Sequence, residues 1–220
     1  MNNLQKSLIT EVAFNLNVIY PTTQDRNEKL SNKPVGESEY EGIKLLPYAI
    51  YSTKKLLLLI SSNGFITFIK NHPKKVKVLN LGAGEGRSLF ALQKSVNMIK
   101  KTEVIGTGYE IQKCLTETVP NSAKSQVDII HGDFLDILEN ICDYQVVFSF
   151  LPFVGEMEII FEIMKRMMTV AKPNTLFVLE GFPLSGSVVN YFSNHVFEGK
   201  FCPIELDGTT NAFIKIKLND

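Results

Sequence analysis

The sequence predicts an α/β fold, and two patterns of apolar residues support that prediction. Between residues 76 and 179, five short apolar runs alternate with segments of helical periodicity. Repeated strand–helix units of this kind imply a parallel sheet with right-handed crossovers. Further on, the runs 201–206 and 211–218 are joined by a polar turn, which favours an antiparallel hairpin. We therefore expect a Rossmann-like, doubly wound, mostly parallel seven-stranded sheet with a C-terminal antiparallel hairpin and an N-terminal helical extension.

Local signals set the boundaries of the core elements. The run 144–150 is almost wholly apolar, as expected for a central strand that is covered on both faces. Pro120 and Pro173 favour breaks after the second and fourth helices of the core. The predicted strands are 76–81, 103–109 with Glu110 at its end, 127–131, 144–150, 175–179, 201–206 and 211–218; the predicted helices are 86–99, 111–118, 134–140, 155–170 and 188–197.

The N-terminal part of the chain is predicted to be helical. Leu4, Leu8, Val12, Leu16 and Ile19 share one face of a helix over residues 4–19, which ends before Pro21. Residues 21–42 are polar and contain Pro and Gly, which indicates a loop. Two more helices are expected, at 47–62 and 65–70. We divide the chain into an N-terminal helical extension or lid, 1–70, and a core, 71–220.

The composition excludes several classes of protein. The 220 residues contain 23 Lys and Arg against 23 Asp and Glu, so the chain lacks the basic excess typical of nucleic-acid-binding domains, and nucleic acid is an unlikely partner. Its three cysteines are widely spaced and lack metal-ligand spacing, which indicates reduced packing residues and no metal site. The N-terminus lacks the features of a signal peptide, and the densest apolar run, 56–60, is too short to span a bilayer. We expect a cytoplasmic protein that does not enter the membrane; its oligomeric state is left open.

A glycine-rich turn between the first core strand and its helix predicts a ligand site. Gly82, Gly84 and Gly86 allow a sharp turn and a close approach to the main chain. The following helix directs its free N–H groups toward this loop, as in a nucleotide-type cradle. A dinucleotide fingerprint would place its third glycine where Arg87 stands, and a Walker A loop would need G-K-[ST]. A tight turn without a ligand is the alternative.

The G-x-G-x-G spacing resembles motif I of the class I, seven-strand S-adenosyl-L-methionine-dependent methyltransferases. Ligands of open α/β sheets bind at the carboxyl ends of the strands, and four such ends carry suitable residues here. Glu110 could accept both hydroxyl hydrogens of a ribose, and Asp133 could accept from an adenine amino group beside Phe134. The alternatives are that Glu110 and Asp133 cap the helices that follow them. The fourth end, 149–153, matches the segment that faces the methyl donor and acceptor in that family.

The resemblance implies S-adenosyl-L-methionine as cofactor and a defined set of site residues. One departure is visible, because the acidic residue that the family usually carries two positions before the first glycine is Asn80 here. An amide can still form hydrogen bonds, but it brings no negative charge toward the ammonium group of the donor. The predicted cofactor-binding residues are Tyr48, Asn80, Gly82, Ala83, Gly84, Glu85, Gly86, Glu110, Ile111, Gly132, Asp133, Phe134 and Ser149, and the predicted catalytic residues are Ser149, Phe150 and Phe153.

A narrower resemblance concerns the acceptor. Gly108-Tyr109-Glu110 is similar to the G-Y-E of histone-lysine methyltransferases of the disruptor-of-telomeric-silencing type and of mitochondrial seven-strand lysine methyltransferases. The apolar segment 147–153 is similar in place to theirs, but it lacks the asparagines of the histone enzymes. This resemblance implies an amine acceptor such as a protein lysine; a small-molecule nitrogen or oxygen is the broader expectation.

Two hypotheses compete with a methyltransferase. A methyltransferase-like domain that has lost activity and serves as a binding or scaffold module would explain Asn80 and the absence of an evident general base. A nicotinamide-dependent enzyme would need a different glycine spacing. Phe150 and Phe153 are candidate walls of an acceptor channel, although aromatic residues at such positions are often plain core.

Overall fold

The computed structural model describes residues 1–20, 43–44, 53–73, 75–150, 154–155, 157–180, 201–203 and 212–215. Several predictions fall outside these residues: the loop 21–42, the start of the helix 47–62, the helix 188–197, most of the C-terminal hairpin, Tyr48 and Phe153. These stay predictions.

A seven-stranded sheet in the described chain confirms the predicted fold class. The strands of this sheet are β2 Val78–Leu81, β3 Gly106–Glu110, β4 Val127–His131, β5 Val146–Phe150, β7 Leu176–Glu180, β8 Phe201–Pro203 and β9 Ala212–Lys215. Their order in the sheet is β4-β3-β2-β5-β7-β9-β8. The five strands from β4 to β7 in this order are parallel, whereas β9 pairs antiparallel with both β7 and β8.

Helices cover both faces of this sheet. The alternation of side chains along β2 shows the two faces, because Val78 lies in one buried cluster and Leu79 and Leu81 in another. The helices are α1 Asn3–Ile19, α2 Thr53–Ser61, α3 Asn63–Asn71, α4 Arg87–Lys100, α5 Lys113–Thr116, α6 Asn121–Lys124, α7 Met157–Val170 and the 3-10 helix Phe134–Asp143. The first cluster includes residues of the N-terminal helices and of α4, and the second includes residues of α7 and of the 3-10 helix.

The predicted helix 111–118 is wrong in form. Within these residues the structure has a single turn, α5, and a second turn that was not predicted, α6, follows with Pro120 at its N-cap. A proline has no backbone N–H to leave unsatisfied, so it suits the start of a helix as well as its end. The predicted helix 134–140 is a 3-10 helix that continues to Asp143.

The predicted strand 103–109 starts too early. β3 begins at Gly106, because the side chain of Asn97 in α4 engages the backbone of Val104. Asn97 Oδ1 accepts from Val104 N at 3.0 Å, and Asn97 Nδ2 donates to Val104 O at 3.1 Å. The other boundaries differ from the prediction by up to two residues where they can be compared.

A second, two-stranded sheet was not predicted. β1, Ile43–Lys44, pairs antiparallel with β6, Val154–Gly155. β6 follows closely on β5, so this ribbon brings part of the N-terminal segment beside the chain that leaves the carboxyl end of β5. The predicted helix start at residue 155 is therefore wrong, since Gly155 belongs to β6 and α7 begins at Met157.

The N-terminal helices pack on the same face of the sheet as α4. α1 contacts α2 and α4, and its apolar residues Val12 and Leu16 are completely buried with Leu56 of α2 and Val78 of β2. Asn2 and Gln5 form a capping box at the start of α1, which satisfies two backbone N–H groups there. One hydrophobic core therefore extends from the N-terminal helices to the sheet.

Candidate functional site

The loop between β2 and α4 has a backbone that requires glycine. Gly82, Gly84 and Gly86 have φ values of 69°, 57° and 82°, in the left-handed region that residues with a Cβ avoid. The N–H of Gly86 donates to Ala83 O at 2.9 Å, which closes the turn, and the N–H of Ala83 donates to Tyr109 O at 2.9 Å. The loop is thereby fixed against the end of β3.

A glycine in β3 lets this loop approach. A Cβ built on Gly108 would lie 2.5 Å from Ala83 Cβ and 2.8 Å from Ile129 Cδ1, so only a residue without a side chain fits beneath the loop. The first residue of the Gly108-Tyr109-Glu110 stretch therefore has a packing role that is independent of any acceptor.

Glu110 reaches from the end of β3 to the glycine loop. Its Oε2 accepts from Gly84 N at 2.8 Å, and its Oε1 accepts from Gln112 N at 2.9 Å. The residue is only 6% exposed. Burial raises the pKa of the Glu110 carboxyl, although the backbone N–H groups and the nearby His131 oppose that shift. A carboxylate can accept about four hydrogen bonds, so the backbone N–H groups around Glu110 still leave capacity for a donor from a ligand.

The ends of β3 and β4 are linked beside Glu110. Gly132 N donates to Glu110 O at 3.1 Å, and His131 Nε2 lies 3.1 Å from Ile111 O. Asp133 is the N-cap of the 3-10 helix, because its Oδ1 accepts from Leu135 N at 2.9 Å. The capping alternative for Asp133 is thus observed, and the neighbouring Phe134 packs against the second core cluster.

Asn80 provides a buried acceptor beside the loop. It is 2% exposed, and its Oδ1 has no hydrogen-bond partner among the residues that the structure describes. Buried polar atoms are normally satisfied, so an unsatisfied oxygen two residues before Gly82 fits a hydrogen-bond donor on a ligand. The sequence marked Asn80 both as a departure from the family pattern and as a predicted cofactor-binding residue.

Ser149 and Phe150 end β5 as predicted, but the Ser149 side chain has a structural contact. It is completely buried, and its Oγ donates to Leu81 O of β2 at 3.0 Å. Phe150 is partly buried against the first core cluster. In the register of the sheet, Ser149 stands beside Leu81 and Phe150 beside Glu180. The predicted site residues of the described chain therefore come together along one edge of the sheet.

Two charged residues around Gly86 are unexpectedly buried. Glu85 is 1% exposed and Arg87 is 4% exposed, although charged residues of this kind are seldom buried without partners. The Arg87 guanidinium donates to the Thr53 hydroxyl at the start of α2. No signal in the sequence pointed to Thr53, because it lies 34 positions from its partner.

A hollow of about 530 Å³ lies elsewhere, between α3 and the start of β7. Asn174 and Ile214 form part of its wall, and both stand at the amino edge of the parallel strands, opposite the glycine loop. Its described lining contains no Asp, Glu, Lys or Arg. This hollow is separate from the candidate site.

Comparison with solved structures shows which proteins share this fold. A candidate O-methyltransferase from Klebsiella pneumoniae aligns with a TM-score of 0.52 and 11% identity over 98% of this chain and 100% of its own. The cofactor-bound protein Rv0187 from MTB gives 0.53 and 12% over 94% and 96%. A candidate caffeoyl-CoA O-methyltransferase from Staphylococcus aureus gives 0.51 and 18% over 76% and 85%. The chain has the methyltransferase fold.

Sequence comparisons add nothing to this structural likeness. No family model matches the chain, and no curated protein matches it. Within the described segments, none of the helices combines the length and the apolarity that crossing a bilayer would need.

Proposed function

We propose that the protein is a methyltransferase that uses S-adenosyl-L-methionine. The observation that supports this most directly is the contact between Glu110 and Gly84, in which a buried carboxylate at the end of β3 meets the backbone of the glycine loop at 2.8 Å. It occurs at the carboxyl edge of a methyltransferase-type sheet, where ligands of open α/β folds bind.

Three groups of this edge fit three parts of the donor. Glu110 would accept from the ribose hydroxyls, and the unsatisfied Asn80 Oδ1 would accept from the ammonium group. The donor carboxylate would accept from the backbone N–H groups in the first turn of α4. This helix begins after Gly86 with no side-chain cap and no acidic residue in its first turn. Asp133 and Phe134 stay the proposed adenine neighbours, and Ile111 and Gly132 line the same edge.

The chemistry places modest demands on the protein. Bound S-adenosyl-L-methionine supplies an electrophilic methyl group on its sulfonium. The chain has to hold the acceptor in line with that methyl and to exclude water; alignment of this kind can lower a barrier by about 7–11 kcal/mol at best. Phe150, and Phe153 beyond the described residues, are proposed as apolar walls for the acceptor.

We propose an amine, such as a protein lysine, or a small-molecule nitrogen or oxygen as acceptor. A lysine, with an ordinary pKa of about 10.4, must lose its proton before it can attack, and an apolar channel favours that neutral form. Two of the proteins that share the fold are named as O-methyltransferases, which supports an oxygen acceptor. Gly108 is required for packing, so its presence in the Gly108-Tyr109-Glu110 stretch is weaker support for a lysine acceptor.

Calorimetry with S-adenosylmethionine and S-adenosylhomocysteine tests the donor site. We expect both to bind the wild-type protein, and Gly84→Val to abolish binding, because a branched side chain at a φ of 57° distorts the loop. Circular dichroism of the variant checks that the sheet remains folded. No binding to the folded wild-type protein, or full binding to folded Gly84→Val, would contradict the proposed site.

Methyl transfer is tested separately from donor binding. Labelled S-adenosylmethionine is incubated with the protein and whole-cell extract, and the label is measured in the protein, nucleic-acid and small-molecule fractions. We expect label in protein or small molecules. Donor binding with no transfer to any fraction would favour an inactive binding module.

A further inference from the structure

The first turn of α4 contacts the N-terminal helices directly behind the glycine loop. Arg87 is the first residue of α4, it is 4% exposed, and its guanidinium donates to the hydroxyl of Thr53, the first residue of α2. Gly86, which precedes it, is the last glycine of the loop. One hydrogen bond therefore connects the start of α2 to the residue that follows the proposed donor loop.

Tyr20 makes a second contact at the same turn. The centroid of its ring lies 5.8 Å from the centroid of the Phe90 ring, and the two ring planes are inclined at 57°. A Cβ built on Gly86 would lie 3.4 Å from the Tyr20 hydroxyl oxygen. Tyr20 is 1% exposed and its N–H caps α1 by donating to Leu16 O at 2.8 Å. The end of α1 is thus fixed against the loop and the first turn of α4.

A third contact lies further along α4, where Lys94 Nζ is 3.1 Å from Glu11 Oε1 of α1. This ion pair is partly exposed and contributes little by itself. It shows, however, that α1 runs along α4 and does not meet it at one point only.

The position of Arg87 is electrostatically unfavourable without partners. A helix N-terminus carries a partial positive charge, so a cation in the first turn is disfavoured there, and burial adds a desolvation cost. Partners such as the Thr53 hydroxyl offset these costs. The Thr53 hydroxyl is therefore one contact through which the docking of α2 can affect the conformation of Gly86–Arg87.

We infer that Thr53, Arg87 and Tyr20 are positioning residues for the donor, and that docking of the N-terminal helices is thermodynamically linked to donor binding. The inference rests on the proposed function. The glycine loop is held on one side by Glu110 and on the other by the N-terminal helices, so loss of either support loosens it. Linkage is reciprocal, and bound donor must stabilise the docked helices to the same extent.

Two substitutions of one residue test the linkage. Thr53→Val keeps the shape of the side chain and removes the hydroxyl, whereas Thr53→Ser keeps the hydroxyl. We expect Thr53→Val to weaken S-adenosylhomocysteine binding about 5- to 20-fold. This is less than the roughly 13- to 160-fold that a whole hydrogen bond to a charged group would give, because Thr53 acts on the donor indirectly, through Arg87. We expect Thr53→Ser to stay within about twofold of wild type. Thr169→Val, which removes an exposed hydroxyl that donates to Lys165 O of the same helix, α7, is the matched control.

Hydrogen exchange of the wild-type protein gives a readout that does not depend on a variant folding. We expect bound S-adenosylhomocysteine to slow amide exchange in α1 and α2 as well as in the loop. If Thr53 had a purely structural role, Thr53→Val would melt at a lower temperature but would bind S-adenosylhomocysteine as tightly as wild type. Bound S-adenosylhomocysteine would then also leave the amide exchange of α1 and α2 in the wild-type protein unchanged. These results together would overturn the inference. A wild-type protein that binds no S-adenosylhomocysteine would instead overturn the proposed function.

Discussion

At the scale of single residues, Glu110 combines burial with two backbone hydrogen bonds. Glu110→Gln retains one acceptor oxygen and replaces the other by an amide that donates, so Gly84 or Gln112 loses its partner and the charge is removed. We expect the affinity for S-adenosylhomocysteine to fall by about 1.5–3 kcal/mol, the scale of a hydrogen bond to a charged group. Calorimetry measures the loss, and Glu117→Gln, at an exposed position beyond α5, should behave as wild type. Equal affinities in both variants would remove Glu110 from the site.

The raised pKa of Glu110 predicts a pH dependence. The folded state holds the Glu110 proton more tightly than the unfolded state does, so protonation of Glu110 adds to the free energy of unfolding. This contribution is fully present below the unfolded pKa of about 4.3 and is lost as the pH rises through the folded pKa. Donor binding has the opposite sign, since the ionised carboxylate accepts hydroxyl hydrogens better. We expect S-adenosylhomocysteine affinity to rise with pH in the acidic range above the ordinary glutamate pKa, and this rise to be absent in Glu110→Gln. If the affinity rose equally with pH in the wild-type protein and in Glu110→Gln, the pH dependence would come from a titrating group other than Glu110.

The residues that could be predicted from the sequence are those whose chain position alone places them in the site. Glu110 ends β3, and Gly84 and Asp133 come within three residues of the ends of β2 and β4. All three therefore lie at the edge where the carboxyl ends of the parallel strands meet. The partners of those residues could not be predicted. The contact of Arg87 with Thr53 and that of Ser149 with Leu81 join distant parts of the chain, and no local pattern marks such pairs.

At the scale of elements, two glycines in β3 allow α4 and its loop to approach the strand. Gly108→Ala would push against Ala83 at 2.5 Å, whereas Gly106→Ala would meet mainly the end of the flexible Leu89 side chain at 2.7 Å. Overpacking of this kind costs about 1–3 kcal/mol. We expect both variants to be less stable in denaturant unfolding, and only Gly108→Ala to bind S-adenosylhomocysteine more weakly as well. If Gly108→Ala bound S-adenosylhomocysteine as tightly as Gly106→Ala, the conformation of the loop would not depend on Gly108.

Long helices with regular apolar spacing were predicted more accurately than short elements. α1 and α4 have several turns of one-sided apolar spacing, and their predicted limits agree with the structure within about a residue or two. β1 and β6 have two residues each, too few to show any alternation. The start of β3 is set by hydrogen bonds from Asn97, a tertiary effect that strand propensity does not contain.

At the scale of the whole molecule, the shared core argues for one cooperative unit, and the division at residue 70 stays a prediction. Leu16→Ala removes a completely buried side chain from a cluster that reaches the sheet, and such changes cost about 2–5 kcal/mol. We expect one calorimetric transition, shifted to lower temperature. Phe14→Ala, on the 67% exposed side chain of the same helix, should stay within about 0.5 kcal/mol of wild type. A separate early transition confined to α1 and α2 would contradict a single unit.

The position of β9 has a consequence for synthesis of the protein. It is the last of the seven strands along the chain, yet it lies inside the sheet, between β7 and β8. While a ribosome still holds these residues, β7 presents an unpaired edge and β8 has no neighbour in this sheet. Such edges invite association with other chains, so the newborn polypeptide stays exposed to aggregation, and in need of a chaperone, until β9 emerges.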